Sequence, residues 1–336
     1  MFISHYSALH FWRELRARDC CVPSVTSALD LEPHSSRLVY APVVSLHSAD
    51  ISDREIMGFL PQGSALFKPP IDLLVGSPHM RRYSALKRPH AWVHPLTSGS
   101  FYKIASQVYV SSPEFCFLQM ASLLDFVDLV MLAYELCGYY TVSENGMFTC
   151  TRLTSLELLG DFAHRCAGSR GARKAASALA CAAEGAASPR EATTAALLCL
   201  PYRHGGYALP LPQMNHPVYP RARQRDEIDG TYYVCDLFWP KANLAVEYNS
   251  DAHHASPSQI ASDSRRRNAL EHMNIKVVSV TNQQLCDIDQ FDHAALQIAK
   301  RLHKRIRPSS PDIQWTKARL DLRSKLLGRG ATCQNA

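Results

Sequence analysis

This chain of 336 residues contains 11 cysteines but lacks the closely spaced cysteine pairs of metal sites. No two of them have the Cys-x-x-Cys spacing that is usual in structural zinc sites. Several lie inside apolar helical runs, among them Cys116, Cys137 and Cys199, where a free thiol behaves as a small hydrophobic side chain. We therefore expect reduced, buried cysteines rather than zinc ligands or disulfides.

Long apolar runs and an apparent signal peptide are also missing. No stretch of about 18 or more residues is uninterruptedly apolar, and the most apolar stretch, residues 115–134, contains Asp125 and Asp128, which favour a buried helix. The N-terminus lacks a positive region followed by a long apolar core. There is no internal repeat and no extended low-complexity tract. We therefore expect a cytoplasmic protein that does not cross a membrane.

The residues that are present suit more than one domain. A hydrophobic fraction of 46% and a charged fraction of 20% are ordinary for a globular protein, and the length suits two domains. Residues 1–165 carry 13 Lys and Arg against 15 Asp and Glu, whereas residues 166–336 carry 23 against 15. A basic C-terminal half is compatible with a polyanionic partner, and equally with solvated surface charge.

The order of apolar and turn-forming segments predicts an α/β protein in four parts. Residues 1–165 are expected to form a separate α+β domain, with a role left open between regulation and DNA binding. Residues 166–187 are rich in alanine and predict a helical connector. Residues 188–306 predict a second domain with an α/β core. Residues 307–336 predict a polar tail with a short helix, Trp315 to Leu327.

Within the first domain the signals predict short helices and strands. Helices are expected over Ser7–Arg18, from Ser112 to about Gly138, and over Thr154–Cys166. Strands are expected over Ile71–Val75, Ala91–His94 and Gln107–Val110.

The second domain begins with a helix that Ser188 caps and that continues to the stop at Pro201. Glu191 lies in the first turn of this helix. The helix dipole favours a glutamate there for structural reasons alone. A role for Glu191 in a metal site is the alternative, and it depends on the segments that follow.

A β-hairpin follows, and it brings two acids together. Residues 231–239 and 244–249 predict two strands, joined by a turn over Pro240 to Asn243. If the turn is centred between Lys241 and Ala242, Asp236 faces Glu247. Directly opposed residues in an antiparallel pair have Cβ atoms roughly 4.5–5.5 Å apart.

Two carboxylates that close repel each other, so the pair must either hold a proton or share a cation. The neighbouring residues are apolar, and solvent screening should therefore be weak. Oxygen ligands suit Mg²⁺ or Mn²⁺ far better than zinc. The alternative is an edge hairpin with two exposed acids, which period-two alternation alone does not exclude.

Candidate partners for this acidic pair follow along the chain. His253 and His254 come shortly after the second strand, where a histidine either serves as acid, base or ligand or is merely exposed. A helix from Pro257 to about Met273 then carries Asp263 and three consecutive arginines, Arg265, Arg266 and Arg267. The arginines either form a solvated face or clamp phosphates. Residues 275–280 predict a buried strand, and Thr281 starts another helix.

Three segments of the second domain together resemble the PD-(D/E)XK nuclease superfamily, and most nearly its very-short-patch-repair-like endonucleases. They are Y-V-C-D-L-F-W-P-K-A-N-L-A-V-E-Y-N-S-D-A-H-H, D-S-R-R-R-N-A-L and I-K-V-V-S-V-T-N-Q-Q-L. The resemblance covers about 120 residues. It implies a restriction-endonuclease-like mixed sheet flanked by helices. The family's motif positions fall on these residues of the chain: Glu191, Asp236, Glu247, His253 with His254 beside it, Asp263 and Arg266.

The chain departs from the family pattern at two positions. The lysine position, two residues after the second acid, is Asn249, and the glycine of the pattern is Ser250. The lysine is commonly assigned to orienting or activating the attacking water. Without it, either a histidine serves this purpose or catalysis is weak or absent.

The first domain has a fainter similarity to AbiEi-type antitoxin-like regions, carried by V-H-P-L and by V-Y-V-S-S-P-E-F-C-F-L-Q-M-A. It is compatible with a regulatory domain or with one that binds a partner protein.

Two functions follow as expectations. The first is a Mg²⁺- or Mn²⁺-dependent endonuclease acting on DNA, with RNA as a further possibility. Asp236, Glu247 and the backbone carbonyl of Tyr248 would hold the metal, with Glu191 as an outer carboxylate. The second is a nuclease-fold regulator of a toxin–antitoxin or phage-defence type, without activity, that binds nucleic acid or a partner protein. Asn249 favours the second, and the acidic pair favours the first.

Overall fold

The chain is a mixed α/β protein. The computed structural model describes residues 1–21, 52–59, 66–105, 107–220, 232–249, 257–306 and 313–328, and excludes the side chains of 19–21, 59 and 257–263. The chain divides into two compact units, Met1–Ala180 and Cys181–Ala336. Within the described residues, no helix has the length and apolar composition needed to cross a membrane.

The first unit is built on a mixed five-stranded sheet. Its strands are β1 (Phe2–Ile3), β2 (Ile71–Val75), β3 (Lys87–Ala91), β4 (Phe101–Ala105) and β5 (Val108–Ser111), in the order β3-β2-β1-β5-β4. The pairs β1–β5 and β2–β3 are parallel, whereas β1–β2 and β4–β5 are antiparallel. The helices of this unit are α1 (His5–Cys21), α2 (Asp53–Phe59), α3 (Pro113–Met120), α4 (Phe126–Leu136), α5 (Leu156–Arg165) and α6 (Ala172–Leu179), and a separate hairpin pairs β6 (Tyr140–Ser143) with β7 (Gly146–Thr149).

A buried polar cluster fixes the start of the chain to this sheet. Asp72 on β2 is 1% exposed, and it accepts hydrogen bonds from Ser7 N at 3.2 Å and from His90 Nε2 at 2.7 Å. The ring of His90 stacks on that of His5, with centroids 3.8 Å apart. Burial, together with the charge of His90, lowers the pKa of His5 well below its ordinary value. Asp72, His5 and Ser7 are buried and His90 is half-buried, so the cluster holds the start of α1 against β2.

Several predicted elements of the first unit match the structure, and two are wrong. The strand Ile71–Val75 is confirmed. The strand predicted over residues 91–94 lies earlier in the chain. Strand β3 ends at Ala91, because it is residues Lys87 to Ala91 that pair with β2. The single helix predicted from Ser112 to Gly138 is two helices, because the side chain of Asp125 accepts from Asp128 N and caps a new one.

The alanine-rich segment is not a single helix, and the part of it that forms α6 lies within the first unit. Gly171 precedes α6 with a φ of +93°, and a Cβ there would lie 3.1 Å from the Cβ of Ala121. A residue with a side chain would be strained in this conformation.

The predicted burial of the cysteines is confirmed in part where the structure describes them. Cys116, Cys137 and Cys199 are buried, whereas Cys150, Cys181 and Cys286 are half-buried.

The second unit contains a mixed four-stranded sheet and five helices within the described residues. In chain order the elements are α7 (Pro189–Cys199), β8 (Gln213–Val218), β9 (Tyr233–Trp239), β10 (Leu244–Asn249), α8 (Pro257–His272), β11 (Lys276–Thr281), α9 (Asn282–Cys286), α10 (Ile288–Arg301) and α11 (Ile313–Leu327). The strand order is β11-β10-β9-β8, with β10–β11 parallel and the other two pairs antiparallel. Helix α7 packs on β9 and β10, and helices α8 and α10 pack on β11.

Helix α11 confirms the helix predicted in the tail, but this helix belongs to the second unit and is not peripheral. Arg319 and Arg323 are both 8% exposed. Arg319 pairs with Asp292, and Arg323 Nη2 donates to Leu285 O at 2.6 Å. Helix α11 lies very close to the turn that contains Gly205. A Cβ at Gly205 would lie 2.2 Å from Ala318 O on this helix.

Candidate metal centre

The β9–β10 hairpin positions the two predicted acids. In this antiparallel hairpin, Leu244 pairs with Trp239, Ala245 with Phe238, and Val246 with Leu237. This is the register that the sequence predicts, and Asp236 and Glu247 occupy the next position along it. The turn works because Asn243 adopts a φ of +45°, which asparagine tolerates better than most residues.

Asp236 is held by the backbone of the opposite strand. Tyr248 N donates to Asp236 Oδ2 at 2.8 Å. The carboxylate therefore takes the place of a ladder hydrogen bond at the point where the recorded pairing ends. This contact fixes the orientation of Asp236 without neutralising its charge.

The two oxygens of Glu247 have different surroundings. Arg266 Nη2 on α8 donates to Glu247 Oε2 at 2.7 Å and also contacts Val234 O. The other oxygen, Glu247 Oε1, is buried and accepts no hydrogen bond from the described residues. A buried carboxylate oxygen without a donor is costly. This oxygen is thus a position where an added cation or a water molecule would be stabilising.

Both acids hold their protons more tightly than ordinary carboxyls. Burial, the charge of Glu247 and the charge of Glu191 raise the pKa of Asp236 to about 7, against the opposing effects of Tyr248 N and Arg266. Burial also raises the pKa of Glu247, although Arg266, the Cys235 thiol and the Asp236 backbone oppose this. One arginine therefore does not balance the negative charge of the site.

The acids line an open cavity of about 210 Å³. Six predicted site residues meet there: Asp236, Glu247, Tyr248, Asn249, Arg266 and Arg267. Leu270 and Val277 close the apolar side of the cavity.

Glu191 does not line the cavity, although its charge reaches Asp236. Its carboxylate accepts from Ser188 Oγ at 2.8 Å and from Ala187 N at 2.9 Å, and also from the amide of Asn215. Three donors thus engage it at the start of α7. The structure shows Glu191 in a capping role, and its service as an outer metal ligand stays a prediction.

The other predicted residues differ in how far the structure describes them. Arg265 lies exposed on α8 and does not line the cavity. Asp263 lies in α8, but its side chain is outside the described residues. His253 and His254 also lie outside the described residues.

Ser279 is a cavity residue that the sequence did not single out. It lies on β11 directly beside Glu247 in the parallel pairing. The only available signal was the predicted strand around it, because the register of a parallel strand depends on the crossover helix and not on a local turn.

The site has to be interpreted from its own residues. No protein-family model, curated protein or solved structure matches this chain.

The donor set fits a hard divalent cation. The oxygens of Asp236 and Glu247 and the carbonyl of Tyr248 suit Mg²⁺ or Mn²⁺. Within the described ranges, Glu247 Oε1 has no hydrogen-bond partner. Among the described residues, no three His, Cys, Asp or Glu side chains form a metal-binding group. Mg²⁺ commonly binds through one or two carboxylates and keeps several waters, so two acids are sufficient.

Proposed function

We propose that the Cys181–Ala336 unit is a restriction-endonuclease-like domain of PD-(D/E)XK type that hydrolyses phosphodiester bonds in DNA with Mg²⁺ or Mn²⁺. One observation carries the proposal. Two acids on neighbouring strands line an open cavity, and one oxygen of Glu247 is buried with no hydrogen bond from the part of the chain that the structure describes. The mixed sheet packed against α7, α8 and α10 agrees with the architecture that the sequence resemblance implies.

The acidic pair would hold the cation, which when bound polarises the phosphate and lowers the pKa of a coordinated water. Tyr248 N keeps Asp236 in a fixed orientation. Arg266 holds Glu247 through Oε2 and leaves Oε1 for the cation. The ligands are therefore positioned before the substrate arrives.

The arginines would position the substrate backbone. Arg266 and Arg267 line the cavity, and Arg265 is exposed on the same helix. Guanidinium groups bind phosphate oxygens without reading base sequence. We assign the proton transfer that assists hydrolysis to His253 or His254, since Asn249 cannot act as the lysine of the family does.

The test is cleavage of plasmid DNA by the purified chain with Mg²⁺ or Mn²⁺. Glu247→Gln keeps the shape of the side chain and removes its charge. Glu271→Gln removes an exposed acid from α8 and is the matched control. We expect nicking by the wild type and the control, and its loss in Glu247→Gln. Equal nicking by all three proteins would contradict the proposal, and parallel reactions on RNA test the choice of nucleic acid.

A second candidate function is a regulator without activity, of the toxin–antitoxin or phage-defence type. Two observations favour it: Asn249 stands at the lysine position, and Arg266 already supplies Glu247 with a positive charge. It predicts binding of nucleic acid or of a partner protein without nicking in any metal. In either case the first unit would serve in regulation or partner binding, and the DNA-directed role agrees with a cytoplasmic location.

A further inference from the structure

Two exposed tyrosines lie together at one end of the β8–β9 hairpin. Tyr219 is 64% exposed and Tyr232 is 51% exposed. Their ring centroids are 5.7 Å apart, and the ring planes are inclined by 38°. More than half of each side chain is thus available to a partner.

The register places this pair on the face of the sheet that carries the acids. The recorded pairs Met214 with Leu237 and Val218 with Tyr233 set the alignment of the two strands. One step further, Tyr219 faces Tyr232. Tyr232 directly precedes β9, and the alternation of side chains with a period of two, extended by one residue, gives it the same face as Asp236. Four residues of extended chain span about 13 Å.

The guanidinium of Arg266, which pairs with Glu247, lies between the tyrosines and Asp236 along β9. Arg266 Nη2 contacts Val234 O, halfway between Tyr232 and Asp236 along β9. Arg265 and Arg267 are exposed on the same helix. A polyanion that approached the acids along this face from the tyrosine end would pass the tyrosine rings and then Arg266.

We propose that Tyr219 and Tyr232 form a stacking platform for unpaired bases, so that the unit prefers single-stranded DNA to duplex. This inference rests on the proposed nuclease function and names its substrate class. Exposed aromatic rings beside a basic groove bind single strands by stacking, because every base offers a planar face. In a duplex those faces are already stacked on one another. The tyrosine pair also supports the hairpin as a cross-strand contact, so the test must separate stacking from folding.

The experiment measures binding of a single-stranded oligonucleotide that carries the fluorescent base 2-aminopurine. The fluorescence of this base falls when it stacks on another ring. The full chain is compared with two double variants at positions 219 and 232. Tyr219→Phe with Tyr232→Phe keeps both planar rings. Tyr219→Ile with Tyr232→Ile removes the rings and introduces β-branched side chains, which also support strand pairing. Thermal unfolding checks that both variants are folded.

We expect quenching of 2-aminopurine by the wild type and the phenylalanine variant. The isoleucine variant should lose the quenching and bind the single strand about five- to a hundredfold more weakly. Its affinity for duplex should change little. Equal quenching in the isoleucine variant, or no binding of single strands by the wild type, would overturn the platform.

The outcome is independent of the cleavage assay. Plasmid nicking that depends on Glu247, with tyrosine variants that behave as wild type, would leave the nuclease proposal intact and remove the platform. Ring-dependent quenching without cleavage in any metal would support the platform and remove the nuclease proposal.

Discussion

Substituting Asp236 by Asn should stabilise the metal-free protein at pH 8 and have little effect near pH 4. The pKa of Asp236 rises from 3.8 to about 7 in the folded chain, chiefly because of burial and of the charge of Glu247. A carboxyl with a raised pKa binds its proton more tightly when folded than when unfolded. Folding stability therefore falls as the pH rises from the unfolded pKa to the folded one, and the loss is complete above it. Asparagine does not titrate and keeps an oxygen for Tyr248 N.

The size of the effect follows from the shift. About three pKa units correspond to roughly 4 kcal/mol, at about 1.4 kcal/mol per unit. The cavity is open to solvent and the repulsion is shared with Glu247, so we expect about 2 kcal/mol after screening. In a domain of this size that is about 4–8 °C in melting temperature.

Calorimetry with EDTA at pH 8 and pH 4 measures this difference. Asp321→Asn is the control, because Asp321 is an exposed aspartate on α11 in the same unit. The transition that shifts in Asp236→Asn and not in the control is the one that belongs to the second unit. If Asp236→Asn were no more stable than the wild type at pH 8, burial and the charge of Glu247 would not be destabilising the ionised form of Asp236.

Three further predictions concern the same unit. Mg²⁺ or Mn²⁺ at a hundredfold excess over Kd should stabilise the wild type by about 2.7 kcal/mol in scanning fluorimetry and should leave the stability of Glu247→Gln unchanged. Equal shifts in both proteins would place the cation elsewhere. Asn249→Lys should increase the rate of plasmid nicking by about tenfold or more, because it restores the lysine ammonium group beside the attacking water. An unchanged rate would show that the missing lysine does not limit cleavage. Thr281→Ala should lower the free energy of unfolding in urea by about 1 kcal/mol, because it removes the capping box in which the side chains of Thr281 and Gln284 each accept a hydrogen bond from the other's backbone. An unchanged free energy of unfolding would mean that α9 does not depend on its cap.

The acidic pair could be predicted because its determinants are local. A turn that ends in Asn243 fixes the hairpin register, and a period of two then determines which side chains share a face. The cap of α7 was predictable for the same reason, since Ser188 lies next to the helix it starts. Local signals were sufficient wherever one turn or one cap decided the geometry.

Non-local pairing decided what the sequence did not predict. Strand β8 was missed because residues 213–218 are largely polar and include Pro217. It is the edge strand of the sheet, where proline is tolerated. Ser279 reaches Glu247 only through the parallel register of β11, which α8 sets. The contact of Arg266 with Glu247 likewise joins residues from a helix and a strand.

The contacts of Glu247 also bear on the choice between enzyme and inactive regulator. An arginine that replaced the metal outright would be expected to engage both carboxylate oxygens, since the guanidinium fork is shaped for bidentate pairing. Arg266 instead shares its Nη2 between Glu247 Oε2 and Val234 O, and Glu247 Oε1 receives no donor from the described residues. Arg266 and a cation can therefore bind Glu247 together, each through its own oxygen. This geometry favours a site that is oriented by the arginine and completed by a metal over one in which the arginine has taken the place of the metal.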